Sequence, residues 1–191
     1  MATVDRPTPA AVGGQPVAAF VAGGSATGTW TLDPASSRVE FHSKSMWGMA
    51  KIHGHFTSVG GKGSVGPSGT ATGELTIEAS SLDTKHKKRD THLRSKDFFD
   101  VTQYPTITYT VDRISPLDGN RVEVLGVLTV RGQSQPLPFT ATVTNATADA
   151  VAIEAELDVD RSRFGIGWSP MKVASMNNRI VVSAHFRRAD R

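Results

Sequence analysis

The chain has 191 residues, of which 38% are hydrophobic and 20% charged, and its formal net charge is +3. This length fits one domain with at most a tail, no apolar run approaches the ~20 residues of a membrane-spanning helix, and the small net charge argues against long nucleic acid as a partner. The absence of cysteine excludes disulfides, cysteine-ligated metals and thiol catalysis.

Residues 1–28 follow neither a helical nor a strand period. They are rich in Ala, Gly, Pro and Val, and their only charged residues are Asp5 and Arg6. The sequence therefore predicts a flexible tail at 1–28 and a folded barrel domain at 29–191. Because the apolar run at 17–22 is shorter than the ~7–15 residues of a secretory signal, we expect a cytoplasmic protein.

From Thr29 onward the hydrophobic period changes to two. Short runs rich in Val, Ile, Thr and Phe alternate with turn residues, which is typical of about eight antiparallel strands, here with a short leading strand at 29–32. A single helix cannot cover both faces of such a sheet, so the sheet must close on itself or fold into two layers. A barrel of about eight strands has room for packed side chains or for one small ligand.

The alternation also identifies the residues that face the interior of this barrel. Small residues recur on the inner face, for example Gly54, Gly126 and Ala155, and they leave room for a cavity. The alternative is an interior filled by the inward phenylalanines. The predicted cavity lining consists of Phe41, Phe56, Leu75, Ile77, Ile107, Tyr109, Val124, Leu128, Phe139, Leu157 and Val182.

The stretch Ser80–Phe99 breaks the strand pattern and is strongly charged. It predicts one helix, or two helical turns, around residues 81–99. Between Lys85 and Lys96 there are six basic residues and a single acidic one, Asp90, which gives the window a charge of +5. We expect this basic segment to lie at a cavity mouth and to favour an anionic or strongly polar head group, with a solvated helix face as the alternative.

Individual residues of this segment have different expected roles. Arg89, Asp90 and Asp97 are expected to be structural rather than catalytic, with Arg89 paired to a carboxylate elsewhere in the chain. Phe98 and Phe99 are expected to anchor the segment against the barrel. The candidates for ligand binding in the segment are Arg89, His92, Arg94, Phe98 and Phe99.

Two further patterns have a functional and a structural interpretation. His42, His53 and His55 fall on one face of two neighbouring strands, and three imidazoles are a possible ligand set for zinc or copper. That face is opposite to the inward residues and has no evident acidic partner, which favours a solvent-exposed group. The run Gly61–Gly66 matches G-x-G-x-x-G, but Pro67 stands where a helix should begin, which indicates a hairpin connection.

Several runs of the sequence resemble the YceI family of lipid-binding, lipocalin-like proteins over roughly residues 29–188. One departure is Ser45, where that family commonly carries a histidine. The runs that carry the resemblance are the opening strand from Trp30 to Phe41, RDTHLRSKDFFDV at 89–101 followed by Tyr104 and Pro105, VLGVLTVRG at 124–132, and DRSRFGI at 160–166.

The resemblance implies an all-β fold, an extended eight-stranded antiparallel lipocalin-like barrel that encloses a long apolar chain, often in a dimer. We therefore expect a protein that is not an enzyme and needs no cofactor. It would sequester or transport an amphiphilic lipid of isoprenoid type, such as a polyprenyl phosphate or an isoprenoid quinone, with no nucleic acid, no integral membrane segment and a homodimer as one option. The alternative is a metal- or redox-dependent enzyme that uses His42, His53 and His55, with a quinone as a conceivable substrate.

Overall fold

The computed structural model describes residues 16–45, 49–169, 171 and 174–189. Within these residues the helices and strands follow one another in chain order, and short 3-10 helices span Ala79–Ser81 and Arg161–Phe164. The elements are α1 (Val17–Ala22), β1 (Gly28–Leu32), β2 (Arg38–Ser45), β3 (Ala50–Phe56), β4 (Val59–Val65), β5 (Ala71–Glu78), β6 (Leu82–Asp83), α2 (Lys87–Arg94), β7 (Thr106–Pro116), β8 (Arg121–Val130), β9 (Gln133–Pro136), β10 (Phe139–Ala146), β11 (Ala150–Asp160) and β12 (Asn177–Arg188).

The strands close into a barrel. Antiparallel pairing runs through β1, β4, β5, β7, β8, β10, β11 and β12, and β12 pairs with β1 again, which completes an eight-stranded ring. The edge of β12 that pairs with β1 also pairs with β2 at an earlier point along the strand. Phe186 pairs with Leu32 of β1, and Val182 pairs with Val39 of β2. The β2–β3 hairpin therefore extends the barrel wall beyond the end of β1. The predicted all-β, lipocalin-like barrel is confirmed.

The register confirms the inner face that the sequence alternation predicts. Residues paired across antiparallel strands point to the same side of a sheet, and here apolar residues meet apolar residues. Leu157 of β11 pairs with Ile180 of β12, and Ile77 of β5 pairs with Ile107 of β7. In these strands the pairing directs one apolar face into the interior.

The segment between β5 and β7 contains the short helix that the sequence predicts, but this helix does not begin at residue 81. The helix α2 covers eight residues, whereas Leu82 is extended, completely buried and paired with Phe56 of β3. Burial of this leucine in the sheet overrides the local helical pattern. The helix begins after His86, whose Nδ1 accepts a hydrogen bond from the backbone N–H of Arg89 at 3.3 Å.

The expectation that residues 1–28 lack regular structure is wrong for the described part of that segment. Val17–Ala22 form the helix α1, and Val17, Phe20 and Val21 share its buried face at the i, i+3, i+4 spacing. The alanines between them obscure this period in the sequence. Residues 1–15 lie outside the described residues.

None of the helices in the described ranges has the length and apolar character that crossing a bilayer requires.

Candidate functional site

A cavity of about 330 Å³ occupies the barrel at the end where β2 ends and β12 begins. Its wall is built mainly from the apolar inner face of the strands. The inward phenylalanines of the alternative interpretation therefore do not fill the barrel. The predicted residues that line the cavity are Phe41, Phe56, Leu75, Ile77, Arg89, His92, Phe98, Phe99, Ile107, Tyr109, Leu128, Phe139, Leu157 and Val182.

Two predicted site residues do not reach this cavity. Val124 is buried in the core cluster that contains Tyr109 and is not part of the lining of this cavity. The guanidinium of Arg94 donates to the carbonyl oxygens of Ser80 at 2.8 Å and Leu82 at 2.5 Å, so it ties α2 to the chain before it. Arg94 follows Arg89 by five residues on α2, so the two side chains leave the helix in different directions. Arg94 therefore holds α2 in place and does not face the cavity.

Arg89 lines the cavity, but the prediction that its guanidinium pairs with a carboxylate is wrong. Its Nε donates to Thr84 Oγ1 at 2.7 Å and its terminal nitrogen to the Thr84 carbonyl at 2.9 Å. The buried carboxylate of Asp90 accepts hydrogen bonds from the Thr84 N–H and hydroxyl, at 3.0 and 2.5 Å. Thr84 therefore joins the two residues in one network, which fixes Arg89 at the cavity wall.

His92, Phe98 and Trp168 form an aromatic group at the cavity mouth. The His92 ring lies edge-on, 4.4 Å from the Trp168 ring and 5.1 Å from the Phe98 ring, measured between centroids. Asp97 Oδ2 lies 3.2 Å from His92 Nε2 and orients the imidazole. Trp168 is 40% exposed and also lines the cavity, so the cavity reaches the surface here.

Phe98 and Phe99 anchor the segment after α2 against the barrel, as predicted. The Phe99 ring meets the Phe56 ring of β3 edge-on at 6.1 Å between centroids. Phe56 in turn lies 5.6 Å from Phe41 on the neighbouring strand. Aromatic contacts therefore connect the segment after α2 directly to the cavity wall.

Arg161 is a cavity residue that the sequence analysis did not select. It is only 8% exposed, and burial lowers the pKa of its guanidinium. Its Nε and two terminal nitrogens donate to the carbonyl oxygens of Ser175, Ile166 and Trp168, at 3.0, 2.9 and 2.9 Å. The D-R-x-x-F-G run was its only signal, because no periodic pattern reveals an arginine buried among carbonyl groups.

A second cavity, of about 180 Å³, lies at the opposite end of the barrel. The helix α1 covers it with Phe20 and Val21, and Phe186 of β12 lines it from the barrel wall. Leu75 lines both cavities, so it stands at the boundary between them. The interior is therefore an apolar space in two compartments.

The three histidines lie outside this interior. His42 pairs with His53 across β2 and β3, with ring centroids 4.5 Å apart, and His55 pairs with Glu40. Contrary to the expectation of no acid nearby, Glu40 Oε2 lies 3.7 Å from His42 Nε2. Across the described ranges no three His, Cys, Asp or Glu side chains are placed to hold a metal ion together. The geometry therefore does not support the metal-dependent alternative.

The glycine-rich run Gly61–Gly66 has the structural role that the sequence analysis favours. It lies in β4 and in the turn that leads to β5, and no helix begins after it. It therefore lacks the helix N-terminus that a dinucleotide site requires.

Comparison with protein families and curated proteins gives consistent matches. The YceI-like domain family matches residues 30–187. A UPF0312 protein of Vibrio cholerae is 34% identical over 92 residues, which cover 47% of this chain and 49% of that protein. Protein YceI of Shigella flexneri is 41% identical over 63 residues, 33% of this chain and 32% of the relative. Each alignment thus spans half the length of the relative or less.

Two solved structures are similar in fold. BcnA of Burkholderia cenocepacia superposes with a TM-score of 0.73 at 24% identity, over 81% of this chain and 98% of BcnA. A polyisoprenoid binding domain from Saccharophagus degradans, implicated in plant cell wall breakdown, superposes with a TM-score of 0.68 at 16% identity. That alignment covers 83% of this chain and 98% of the domain. At these identities the likeness is one of fold.

Proposed function

The chain belongs to the YceI-like domain family, and on that premise we propose that it is a binding protein that encloses the apolar chain of an isoprenoid-type lipid. The observation that carries the proposal is the larger cavity, whose wall is apolar except at its mouth. The neighbouring fold of a polyisoprenoid binding domain supports the same ligand class.

The affinity would come from removing the apolar chain from water. Each Å² of apolar surface buried contributes about 25 cal/mol, and part of this gain is offset by the ordering of a flexible chain. An interior lined by Phe41, Leu128 and Leu157 offers such burial without a catalytic group at its centre. Sequestration or transport of the lipid fits this interior better than chemistry on it.

The first experiment is native mass spectrometry of the protein purified without added ligand. We expect a bound species with the mass of an isoprenoid-type lipid, and the mass of the assembly also shows whether the protein is a monomer or a homodimer. Added polyprenol should bind to delipidated protein. A protein that purifies empty and binds no added polyprenol would contradict the proposal.

A matched pair of variants tests whether the lipid lies in the larger cavity. Val182 of β12 lines it, whereas its neighbour Val181 pairs with Glu156 and Glu40 on the opposite face of the strand. Val182→Trp should fill the cavity and remove the bound lipid, and Val181→Trp should retain it. Equal lipid content in both variants would place the ligand elsewhere.

A further inference from the structure

Two guanidinium groups, those of Arg89 and Arg161, and the imidazole of His92 line the larger cavity. No Asp or Glu belongs to the lining among the described residues. All three lie at the end where Trp168 marks the mouth. Asp97 contacts His92 and Asp90 contacts Thr84, but neither carboxylate lines the cavity, so the guanidinium groups are the charged groups that face it at this end.

The charge of Arg161 is only partly compensated by the protein. Its hydrogen-bond partners are three carbonyl oxygens, which carry no net charge, and a guanidinium has five N–H groups. The Phe98 ring, 5.5 Å from its Cζ, and the charge of the adjacent Asp160 offset part of the cost of burial. The carboxylate of the adjacent Asp160 accepts from the N–H and the hydroxyl of Ser162, at 2.9 and 2.6 Å. No ion pair involves Arg161 in the part of the chain that the structure describes. Burial of a cation without an anion is unfavourable, and an anionic ligand would offset it.

Arg89 adds a second guanidinium, which is linked to the buried carboxylate of Asp90 only through Thr84. It bonds the hydroxyl and carbonyl oxygens of Thr84, and it forms no ion pair within the described ranges. Its side chain is pinned by Thr84 and is therefore preorganised. The lysines of the basic segment differ, because Lys85, Lys87, Lys88 and Lys96 are exposed and do not line the cavity.

We propose that Arg161 and Arg89 form a head-group site for an anionic oxygen group, a phosphate or a carboxylate, at the end of an apolar chain. This inference rests on the proposed function, since the chain of the same ligand would fill the larger cavity. Arginine suits this role because its planar fork donates to two oxygens of one phosphate or carboxylate. The exposed lysine run of α2 is not needed for it.

The test compares ligands that share a chain and differ in the head group. Farnesyl phosphate is set against farnesol, and a fatty acid against the matching fatty alcohol, so that phosphate and carboxylate are assessed separately. We expect the anionic member of at least one pair to bind at least about tenfold more tightly, since hydrogen bonds to charged groups are the strong ones. The preference should persist at high salt, because buried charges are weakly screened.

Variants assign the preference to the two arginines. Arg161→Gln and Arg89→Gln should each reduce the preference for the anionic member severalfold or more, while Arg161→Lys, which keeps the charge but loses the planar fork, should retain only part of it. Arg163→Gln is the matched control, because Arg163 lies in the same 3-10 helix but is exposed and bonds Gln135. It should leave the preference unchanged.

The outcomes separate the two proposals. If no apolar-chain ligand binds, the proposed function fails. If both members of each pair bind equally, the barrel binds chains and the head-group site is refuted. Equal weakening of both members in Arg161→Gln would show that Arg161 only anchors its loop. If that variant does not fold, Arg89→Gln decides, and an unchanged preference in it overturns the inference.

Discussion

At the residue scale, two glycines allow aromatic rings to lie flat against the barrel wall. A Cβ on Gly126 would stand 2.8 Å from the Tyr109 ring and 2.2 Å from the Thr110 carbonyl oxygen. On Gly54 it would stand 2.3 Å from the Phe41 ring. Both rings line the larger cavity, so these glycines determine where its wall lies.

Gly126→Ala should therefore destabilise the protein. The methyl group has to displace Tyr109 or the β7 backbone, and overpacking of this kind costs about 1–3 kcal/mol. Denaturant unfolding measures the loss. Gly60→Ala is the control, because no atom lies within 4 Å of its Cβ position in β4. Equal stability of the two variants would show that the wall yields at Gly126 without strain.

The buried phenol of Tyr109 gives the protein a pH dependence. Burial, with the nearby charge of Asp112, raises the pKa of Tyr109 to about 12, whereas an unfolded chain ionises tyrosine near about 10. Between these values the unfolded state has released a proton that the folded state keeps. The free energy of unfolding therefore falls as the pH rises through this window.

Tyr109→Phe tests this dependence. The variant loses the 2.8 Å hydrogen bond to the Leu137 carbonyl and should be about 1 kcal/mol less stable near neutral pH. Its deficit against the wild type should shrink above about pH 10, because the variant has no phenol to ionise at this position. Denaturant unfolding at several pH values measures both curves. A constant deficit up to about pH 12 would contradict the assignment.

At the element scale, the strand pattern predicts the barrel, whereas the segments that cover its two ends are harder to predict from the sequence. Period-two alternation predicts the inner face, and the resemblance of the family-like runs implies an eight-stranded antiparallel barrel. All six residues of α1 are apolar, so the sequence does not show which side of this helix is buried. Only its packing against the barrel identifies that side. Arg161 and Arg94 are both held by hydrogen bonds to backbone carbonyl oxygens. Every residue has such a carbonyl group, so no sequence pattern predicts these contacts.

The helix α1 is predicted to be a removable cover of the smaller cavity. Val17 is buried and its N–H donates to the Gly119 carbonyl at 3.2 Å. Val17→Asp should release the helix and speed amide hydrogen exchange in α1 at least about tenfold while the strands stay protected. Ala18→Asp changes an exposed position of the same helix and should have little effect. Unchanged exchange in Val17→Asp would mean that α1 is held by other contacts.

At the scale of the whole molecule, the two cavities divide the interior unequally around Leu75. The larger one, of about 330 Å³, opens at the basic end, and the smaller one, of about 180 Å³, lies beneath α1. A ligand chain longer than the first compartment must pass this leucine. The size of the Leu75 side chain therefore limits the length of the ligand chain that the barrel can enclose.

Leu75→Ala should shift the preference towards longer chains. A series of polyprenols of increasing length, competed for the delipidated protein, measures the profile. Ile77→Ala is the control, because Ile77 lines the larger cavity alone and its truncation widens that compartment without joining the two. Both variants should lose about 2–5 kcal/mol of stability. A length profile that changes equally in both variants, or in neither, would contradict the boundary.

The double pairing of β12 has a consequence for how the chain folds. β12 joins β11 to both β1 and β2, and it follows every other strand in the described chain order. Without β12 the other strands of this order fall into two unconnected sheets, one that runs from β1 through β4, β5, β7, β8 and β10 to β11 and one of β2, β3 and β6. Both sheets have free edges, and the contacts of β12 with β1 and β2, across more than a hundred residues, are still missing. Such non-local closure is slow and exposes the intermediate to association. The stage before β12 pairs is thus the one at which a chaperone would have the most exposed strand edge and apolar surface to shield.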